Sequence, residues 1–179
     1  MKSIQRKIIL IFFFVLGSGF SAALFAQTAD KLEALLENPA VTWAEATVFV
    51  LEASDAVSRH MALESLPFGT EPEGAYTAVY DNPAEAFNFA MEQKWLPKKA
   101  RPLDTAQLNG IALLLIRAFD QKGGIFFSLF KNPHYAYHEL VQMEIIRGET
   151  DPGMTVSGEE LLLMIGRMLT IVEEQETVQ

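Results

Sequence analysis

The sequence predicts an all-α protein built from three helix-loop-helix repeats. The main observation is a short phrase that occurs three times: an apolar residue, then Thr, Asp or Ser, and Glu or Gln three residues later. This spacing forms a capping box, in which each side chain accepts a hydrogen bond from the other residue's backbone N–H at the start of a helix. The copies are Val41-Thr42-Trp43-Ala44-Glu45, Leu103-Asp104-Thr105-Ala106-Gln107 and Val156-Ser157-Gly158-Glu159-Glu160.

An apolar stripe at helical spacing follows each copy, which predicts a helix that packs one face against a core. The middle helix also carries Leu113, Leu114 and Ile116, so it is apolar nearly all round and is predicted to lie at the centre. The stripes are Ala46, Phe49, Val50, Ala53 and Val57; Leu108, Ile111, Ala112, Leu115 and Phe119; and Leu161, Leu162, Ile165, Met168, Leu169 and Val172.

Another helix is predicted before each of these. Asn82-Pro83 and Asn132-Pro133 are typical helix starts, with asparagine as the cap and proline in the first turn. The helix after Pro133 is predicted to end at Gly148, because glycine readily adopts the left-handed conformation. In the first repeat the leading helix is short, from Asp30 to about Glu37. The predicted domain therefore spans 27–172, with repeats at about 30–65, 82–119 and 132–172 and an acidic tail at 173–179 that is expected to fray.

Residues 1–26 are predicted to be a secretory signal peptide. Lys2, Arg6 and Lys7 precede an apolar run, and small residues lead to Ala26, with Ala23 as a second cleavage point. The alternative is a retained membrane anchor, because the apolar stretch is long enough to span a bilayer. Cleavage would place the protein in the periplasm or elsewhere in the cell envelope, with no transmembrane span.

Charge and composition narrow the possible functions. Without residues 1–26, which hold three basic residues and no acidic one, 11 basic residues face 23 acidic ones, a net charge of −12. Such a surface repels nucleic acid, so nucleic acid is not an expected partner. The chain has no cysteine, so no disulfide framework supports it and its stability must come from the core.

Two connectors separate the predicted repeats. The segment from Leu66 to Asp81 contains Pro67, Gly69, Pro72 and Gly74, and indicates an ordinary surface loop. The segment from Asp120 to Lys131 has two glycines followed by Ile125-Phe126-Phe127-Ser128-Leu129-Phe130. It either folds its aromatic residues over the core, or exposes an apolar tip that docks on a membrane or a partner.

The third repeat resembles an S-layer homology repeat. The resemblance rests on His134-Tyr135-Ala136-Tyr137, on Ile145-Ile146-Arg147-Gly148, on Asp151-Pro152 and on the phrase that begins at Val156. It extends more weakly over most of residues 30–170. In that family three repeats form one helical domain with pseudo-threefold symmetry. The domain attaches proteins to cell-wall polysaccharide or to a peptidoglycan-linked polymer.

The resemblance also implies where a ligand would bind. The family's phrase is Thr-Arg-Ala-Glu, and its arginine holds an anionic sugar; the corresponding positions are Trp43, Thr105 and Gly158. None of these can supply a charge-assisted hydrogen bond, so Arg147 becomes the expected cation. The candidate ligand-binding residues are Trp43, Glu45, Thr105, Tyr135, Arg147 and Gly158.

No pattern in the chain indicates catalysis or a cofactor. The order His134, His138, Glu139 differs from the His-Glu-x-x-His order of zinc proteases, and no third ligand is evident, so no metal site is predicted. The chain lacks Gly-x-Ser-x-Gly and a glycine-rich phosphate loop. A non-enzymatic, structural role is therefore expected.

Two functional hypotheses follow. The first is an envelope module that binds peptidoglycan or a cell-wall polymer through Trp43, Tyr135 and Arg147 in grooves between repeats. The second is a periplasmic adaptor that binds another envelope protein through Phe126, Phe127 and Phe130, since apolar patches rimmed by polar groups mark protein interfaces.

Export is tested by N-terminal sequencing of the protein recovered from envelope material. We expect the mature chain to begin at Gln27 or at Leu24, because signal peptidase cleaves after small residues. Recovery of the chain with Met1 in place would instead identify residues 1–26 as a retained anchor.

Overall fold

The computed structural model describes residues 30–64, 82–148 and 150–176, with the backbone alone at 56–64 and at 176. The chain divides into two units, Met1–Leu36 and Glu37–Gln179. In the first unit the described residues, 30–36, are helical, and we call this segment α1. The predicted signal peptide, the predicted loop from Leu66 to Asp81 and residues 177–179 lie outside the described residues.

The described part of the second unit is helical, as the sequence predicts. Between its helices, two isolated β-bridges join Thr42 to Thr105 and Gln107 to Thr155. The last helix continues to Glu176, into the acidic tail that is predicted to fray from residue 173. The helices are α2 (Trp43–Glu64), α3 (Pro83–Glu92), α4 (Leu108–Ala118), α5 (Ile125–Phe130), α6 (Pro133–Gln142) and α7 (Gly158–Glu176).

Helix α4 lies at the centre of this unit, as its all-round apolar sequence predicts. Leu108 and all residues from Gly110 to Ile116 are buried. α4 packs most extensively on α6 and also contacts α2, which packs on α3 and α7. The two most extensive contacts, α4 with α6 and α2 with α3, therefore join the second helix of one predicted repeat to the first helix of the next.

A closed ring of three backbone hydrogen bonds joins the segments that precede α2, α4 and α7. The N–H of Val41 donates to the carbonyl of Val156 at 2.9 Å, and the N–H of Val156 donates to the carbonyl of Ala106 at 3.3 Å. The N–H of Ala106 completes the ring by donating to the carbonyl of Val41 at 2.8 Å. All three residues are buried, so the ring satisfies polar groups that water does not reach.

Two of the three predicted capping boxes are present. Thr42 Oγ1 accepts from the N–H of Glu45 at 3.3 Å, and Glu45 Oε2 accepts from the N–H of Thr42 at 2.8 Å. Ser157 and Glu160 form the same pair of bonds, at 3.2 and 2.9 Å. Helices α2 and α7 therefore start by the device that the sequence indicates.

The predicted capping box at Asp104 is wrong. Helix α4 begins at Leu108, and its N-cap is Gln107, which makes no side-chain capping hydrogen bond. In this register the glutamate of a box would stand at residue 110, which is glycine. A Cβ added to Gly110 would collide with the indole ring of Trp43. The box is absent because the tryptophan occupies the space that a larger residue would need.

One period of 50 residues relates the second and third repeats. The ring residues Ala106 and Val156 are 50 residues apart, as are Asn82 and Asn132. Each asparagine caps its helix through its side-chain oxygen, as predicted. The predicted caps Asp104 and Ser157 are 53 residues apart, whereas Gln107, the N-cap of α4 in the structure, lies 50 residues before Ser157.

Helices α3 and α6 end alike, and neither ends at a glycine. Lys94 and Glu144 follow the two C-caps with φ of 60° and 57°, in the left-handed region. The N–H of Ile145 then reaches back to the carbonyl of Leu140 at 2.9 Å, which forms a Schellman motif. The predicted helix end at Gly148 is therefore wrong: that residue has φ of 88° but lies in the loop beyond the helix.

The capping assignment is tested by Ser157→Ala, with Gln107→Ala as its control. Ser157→Ala should lower the free energy of unfolding by about 1 kcal/mol, because the capping hydroxyl is lost. Gln107→Ala removes a side chain that caps nothing, so the change should stay within about 0.5 kcal/mol. Denaturant unfolding measures both, and equal losses would contradict the assignment.

Candidate functional site

The positions that correspond to the family's arginine are buried. With the register of α4, the first residues of the three helices are Trp43, Leu108 and Gly158, and Thr105 is not among them. Trp43 and Leu108 are each only 4% exposed, and Gly158 is buried. The predicted ligand contacts at Trp43 and Gly158 are corrected accordingly, because neither residue presents a surface to a saccharide.

The surroundings of Trp43 explain its burial. Its ring lies against Gly110, where an added Cβ would also come within 2.9 Å of Pro97 Cγ. The N–H of Trp43 donates to the carbonyl of Asp104 at 3.1 Å. Trp43 is therefore part of the packing between α2 and α4 and is not a platform for stacking on a sugar ring.

Glu45 and Thr105 also have structural surroundings. Glu45 Oε2 accepts hydrogen bonds from the N–H and the hydroxyl of Thr42, both at 2.8 Å, and from Asn38 Nδ2 at 3.2 Å. This carboxylate is committed to the start of α2. Thr105 is exposed, and its backbone forms the β-bridge with Thr42.

A pocket of about 150 Å³ contains Arg147, the cation predicted from the sequence. It lies between the loop that follows α6 and the side of α7, with Leu108 at the start of α4 also in its lining. Arg167, which the sequence analysis did not single out, contributes a second guanidinium. The remaining lining residues are Ile145, Ile146, Thr150, Met154, Val156, Glu160, Leu163 and Met164.

The two arginines of this pocket differ in their exposure and in their hydrogen-bond partners. Arg147 has a side chain 60% exposed; its Nε donates to the carbonyl of Glu144 at 2.8 Å, and its Nη2 lies 3.6 Å from the carboxylate of that residue. Arg167 is half-buried, and its Nη1 donates to the carbonyl of Ile145 at 2.7 Å. Both guanidinium groups keep further N–H donors for an anion. Glu160, the acid of the lining, accepts from the N–H and hydroxyl of Ser157.

Arg167 could have been found from the repeat period. It stands 50 residues after Arg117, which lies in the second helix of the preceding repeat. The guanidinium of Arg117 lies 5.8 Å from the ring centroid of Phe127. The predicted caps Asp104 and Ser157 are 53 residues apart, so a comparison of the repeats from these caps does not place the two arginines at equivalent positions.

Tyr135 lies at a different site. It is half-buried and stacks on Phe130 with ring centroids 4.9 Å apart and on Phe126 at 6.1 Å. The three residues predicted to bind a ligand in grooves between repeats, Trp43, Tyr135 and Arg147, therefore lie in three separate environments.

Helix α5 carries the residues predicted to dock on a partner. Phe126 and Phe130 are exposed, but Phe127 is only 3% exposed and packs beneath Arg117. The prediction of Phe127 as a docking residue is corrected, since this side chain anchors α5 to the core. Ile125 and Leu129, not singled out before, are exposed beside the two phenylalanines.

The loop between α3 and α4 is basic, a feature that the sequence-based predictions did not include. Lys94, Lys98, Lys99 and Arg101 are all exposed, and no acidic residue lies between Glu92 and Asp104. None of the four pairs with another described residue. A count of charge over short windows would have found this loop, whereas the net charge of the chain obscures it.

The two histidines of α6 lie together without a third ligand. The ring centroids of His134 and His138 are 4.6 Å apart, and both side chains are exposed. Over the described residues no cluster of three His, Cys, Asp or Glu side chains could hold a metal ion. In the same part of the chain, no helix is long and apolar enough to cross a membrane.

No protein-family model matches the chain, and comparison with curated proteins and with solved structures gives no match either.

Zinc titration tests the histidine pair. We expect zinc to bind no more tightly than it binds an exposed pair of histidines one helical turn apart, because stable sites need three or four ligands. His138→Ala should therefore leave the zinc content of the dialysed protein unchanged. One equivalent of zinc that survives dialysis and disappears in this variant would show a real site.

Proposed function

We propose that the protein is a non-catalytic module of the cell envelope, of the S-layer homology type, that attaches to peptidoglycan or to a polymer linked to it. The observation that carries the proposal is the closed hydrogen-bond ring at Val41, Ala106 and Val156. A threefold arrangement of repeats would bring three equivalent segments together in this head-to-tail manner. The 50-residue period of the second and third repeats supports the same arrangement.

The ligand site of this proposal is the pocket beside Arg147 and Arg167. The positions of the family's arginine are buried and uncharged here, so an anionic group has to bind elsewhere. The pocket lies in the third repeat, where the resemblance is strongest. Its volume of about 150 Å³ suits one carboxylate or phosphate with the edge of a sugar ring, whereas pockets for whole drug-sized ligands exceed about 300 Å³.

Guanidinium chemistry favours such a ligand. An arginine can donate two parallel hydrogen bonds to a carboxylate or a phosphate, which a lysine cannot. The apolar lining of the pocket, including Ile146 and Met154, reduces the competition from water for these bonds. The walls therefore favour the face of a sugar ring, and the arginines favour its anionic substituent.

Co-sedimentation of the mature protein with purified, protein-free peptidoglycan sacculi tests the proposal. The double variant Arg147→Gln/Arg167→Gln should bind at least about tenfold more weakly, since each lost charged hydrogen bond is worth about 1.5–3 kcal/mol. The matched control Lys98→Gln/Lys99→Gln removes the same charge from the basic loop and should bind like the parent.

A second variant separates ligand binding from folding. Arg167 holds the carbonyl of Ile145, so the single variant Arg147→Gln, at an exposed side chain, is measured beside the double variant. It should retain the helical spectrum and the unfolding midpoint of the parent while its binding is weaker. Failure of the parent to sediment at low salt, or an equal loss in the lysine control, would refute this assignment.

A further inference from the structure

Helix α5 carries four of the nine exposed large hydrophobic residues in the described part of the chain. Ile125, Phe126, Leu129 and Phe130 are 84, 68, 71 and 51% exposed, and we call these four residues the α5 tip. Their spacing places them on one side of a short helix. Single exposed apolar residues, such as Leu103, are ordinary on a protein surface, but a contiguous group of this kind marks a binding surface.

The α5 tip is held in place from below, so its exposure is a property of the fold. Phe127 packs into the core, and Ser128 Oγ donates to the carbonyl of Lys122 at 3.1 Å. A Cβ at Gly124 would come within 2.9 Å of the carboxylate of Glu139 on α6, so the start of α5 approaches α6 closely. With Phe127 buried, the α5 tip residues cannot turn inward without displacing it.

The charges around the tip differ from those of the rest of the chain. The whole chain has a net charge of −9 with 23 acidic residues, yet none occurs between Asp120 and Glu139. Lys122 and Lys131 lie at the two ends of α5, and both are exposed. The carboxylate of Glu139 on α6 lies beside Gly124, at the start of α5. An apolar surface with a lysine at each end of its helix is complementary to a bilayer with anionic headgroups.

The neighbouring side chains suit the boundary between lipid and water. Tyr135, whose ring stacks on Phe126 and Phe130, extends the apolar surface and carries a hydroxyl group. A groove of about 470 Å³ between α5 and α6 has Ile125 and Phe126 in its lining together with polar residues of α6. Aromatic rings with a polar end are typical of the membrane interface.

We propose that the α5 tip inserts into the interfacial region of a bilayer that contains anionic lipids, so that the protein lies on a membrane surface without crossing it. The apolar side chains would enter the boundary of the acyl chains, and Lys122 and Lys131 would lie at the headgroups. This inference does not depend on the wall-binding proposal, because it uses different residues and a ligand that contains no saccharide polymer.

Flotation with lipid vesicles tests the inference on the protein produced without the predicted signal peptide, residues 1–26. Vesicles of phosphatidylglycerol and phosphatidylethanolamine should carry the parent, and vesicles of phosphatidylcholine alone should carry less. Phe126→Ser/Phe130→Ser should lower the partition coefficient by at least about tenfold, because the variant lacks the two aromatic rings that would be buried in the bilayer. Leu36→Ser/Leu103→Ser, at two exposed leucines outside the tip, should float like the parent.

Two further variants test the charge and the apolar contact separately. Lys122→Gln/Lys131→Gln should weaken binding to the anionic vesicles by about fivefold per lysine, with little effect on neutral ones. Ile125→Ser/Leu129→Ser should repeat the loss seen with the phenylalanines, which guards against a fold defect in one variant. The proposal would be overturned if the parent did not float, or if the parent and the tip variants floated equally. It would also be overturned by a dimer in sedimentation equilibrium that the tip variants dissociate, because the tip would then bind a second copy of the chain.

Discussion

The hydrogen-bond ring at Val41, Ala106 and Val156 is the constraint on which the rest of the second unit depends. Each residue uses both its N–H and its carbonyl in the ring, and each is buried, so an opened ring would leave polar groups without water or a partner. A helix starts two residues after each ring position. The ring therefore sets where α2, α4 and α7 begin, and with them which side chains face the core.

The tryptophan at residue 43 explains two ways in which the structure departs from the repeat pattern. Trp43 stands at the first position of α2, and its ring fills the space beside Gly110 in α4. That contact excludes a glutamate at residue 110, so the N-cap residue of α4, Gln107, is not part of a capping box. The same burial removes Trp43 from the surface. A single large side chain has thus changed the start of one helix and closed a position that the resemblance had assigned to a ligand.

The parts of the fold that depend on local chemistry could be predicted, and the parts that depend on packing could not. Helix starts could be identified at Thr42, at Ser157 and at the two Asn-Pro pairs, because the capping hydrogen bonds there join residues that are close in sequence. Asp104 fits the same local rule and fails, because only the packing of Trp43 shows which register is allowed. Likewise, Arg147 could be identified from the sequence as a candidate cation, whereas its meeting with Arg167 in one pocket depends on the fold.

The distribution of charge limits how the chain could bind the anionic surfaces proposed above. A net charge of −9 repels a wall polymer or an acidic membrane, and at physiological salt this repulsion is screened beyond about 8 Å. Attraction therefore has to come from groups that make contact: guanidinium groups in a small pocket, or lysines beside an apolar helix. Such contacts give specificity at short range without long-range steering. Orientation then follows, because only the faces that carry these groups can approach the surface closely.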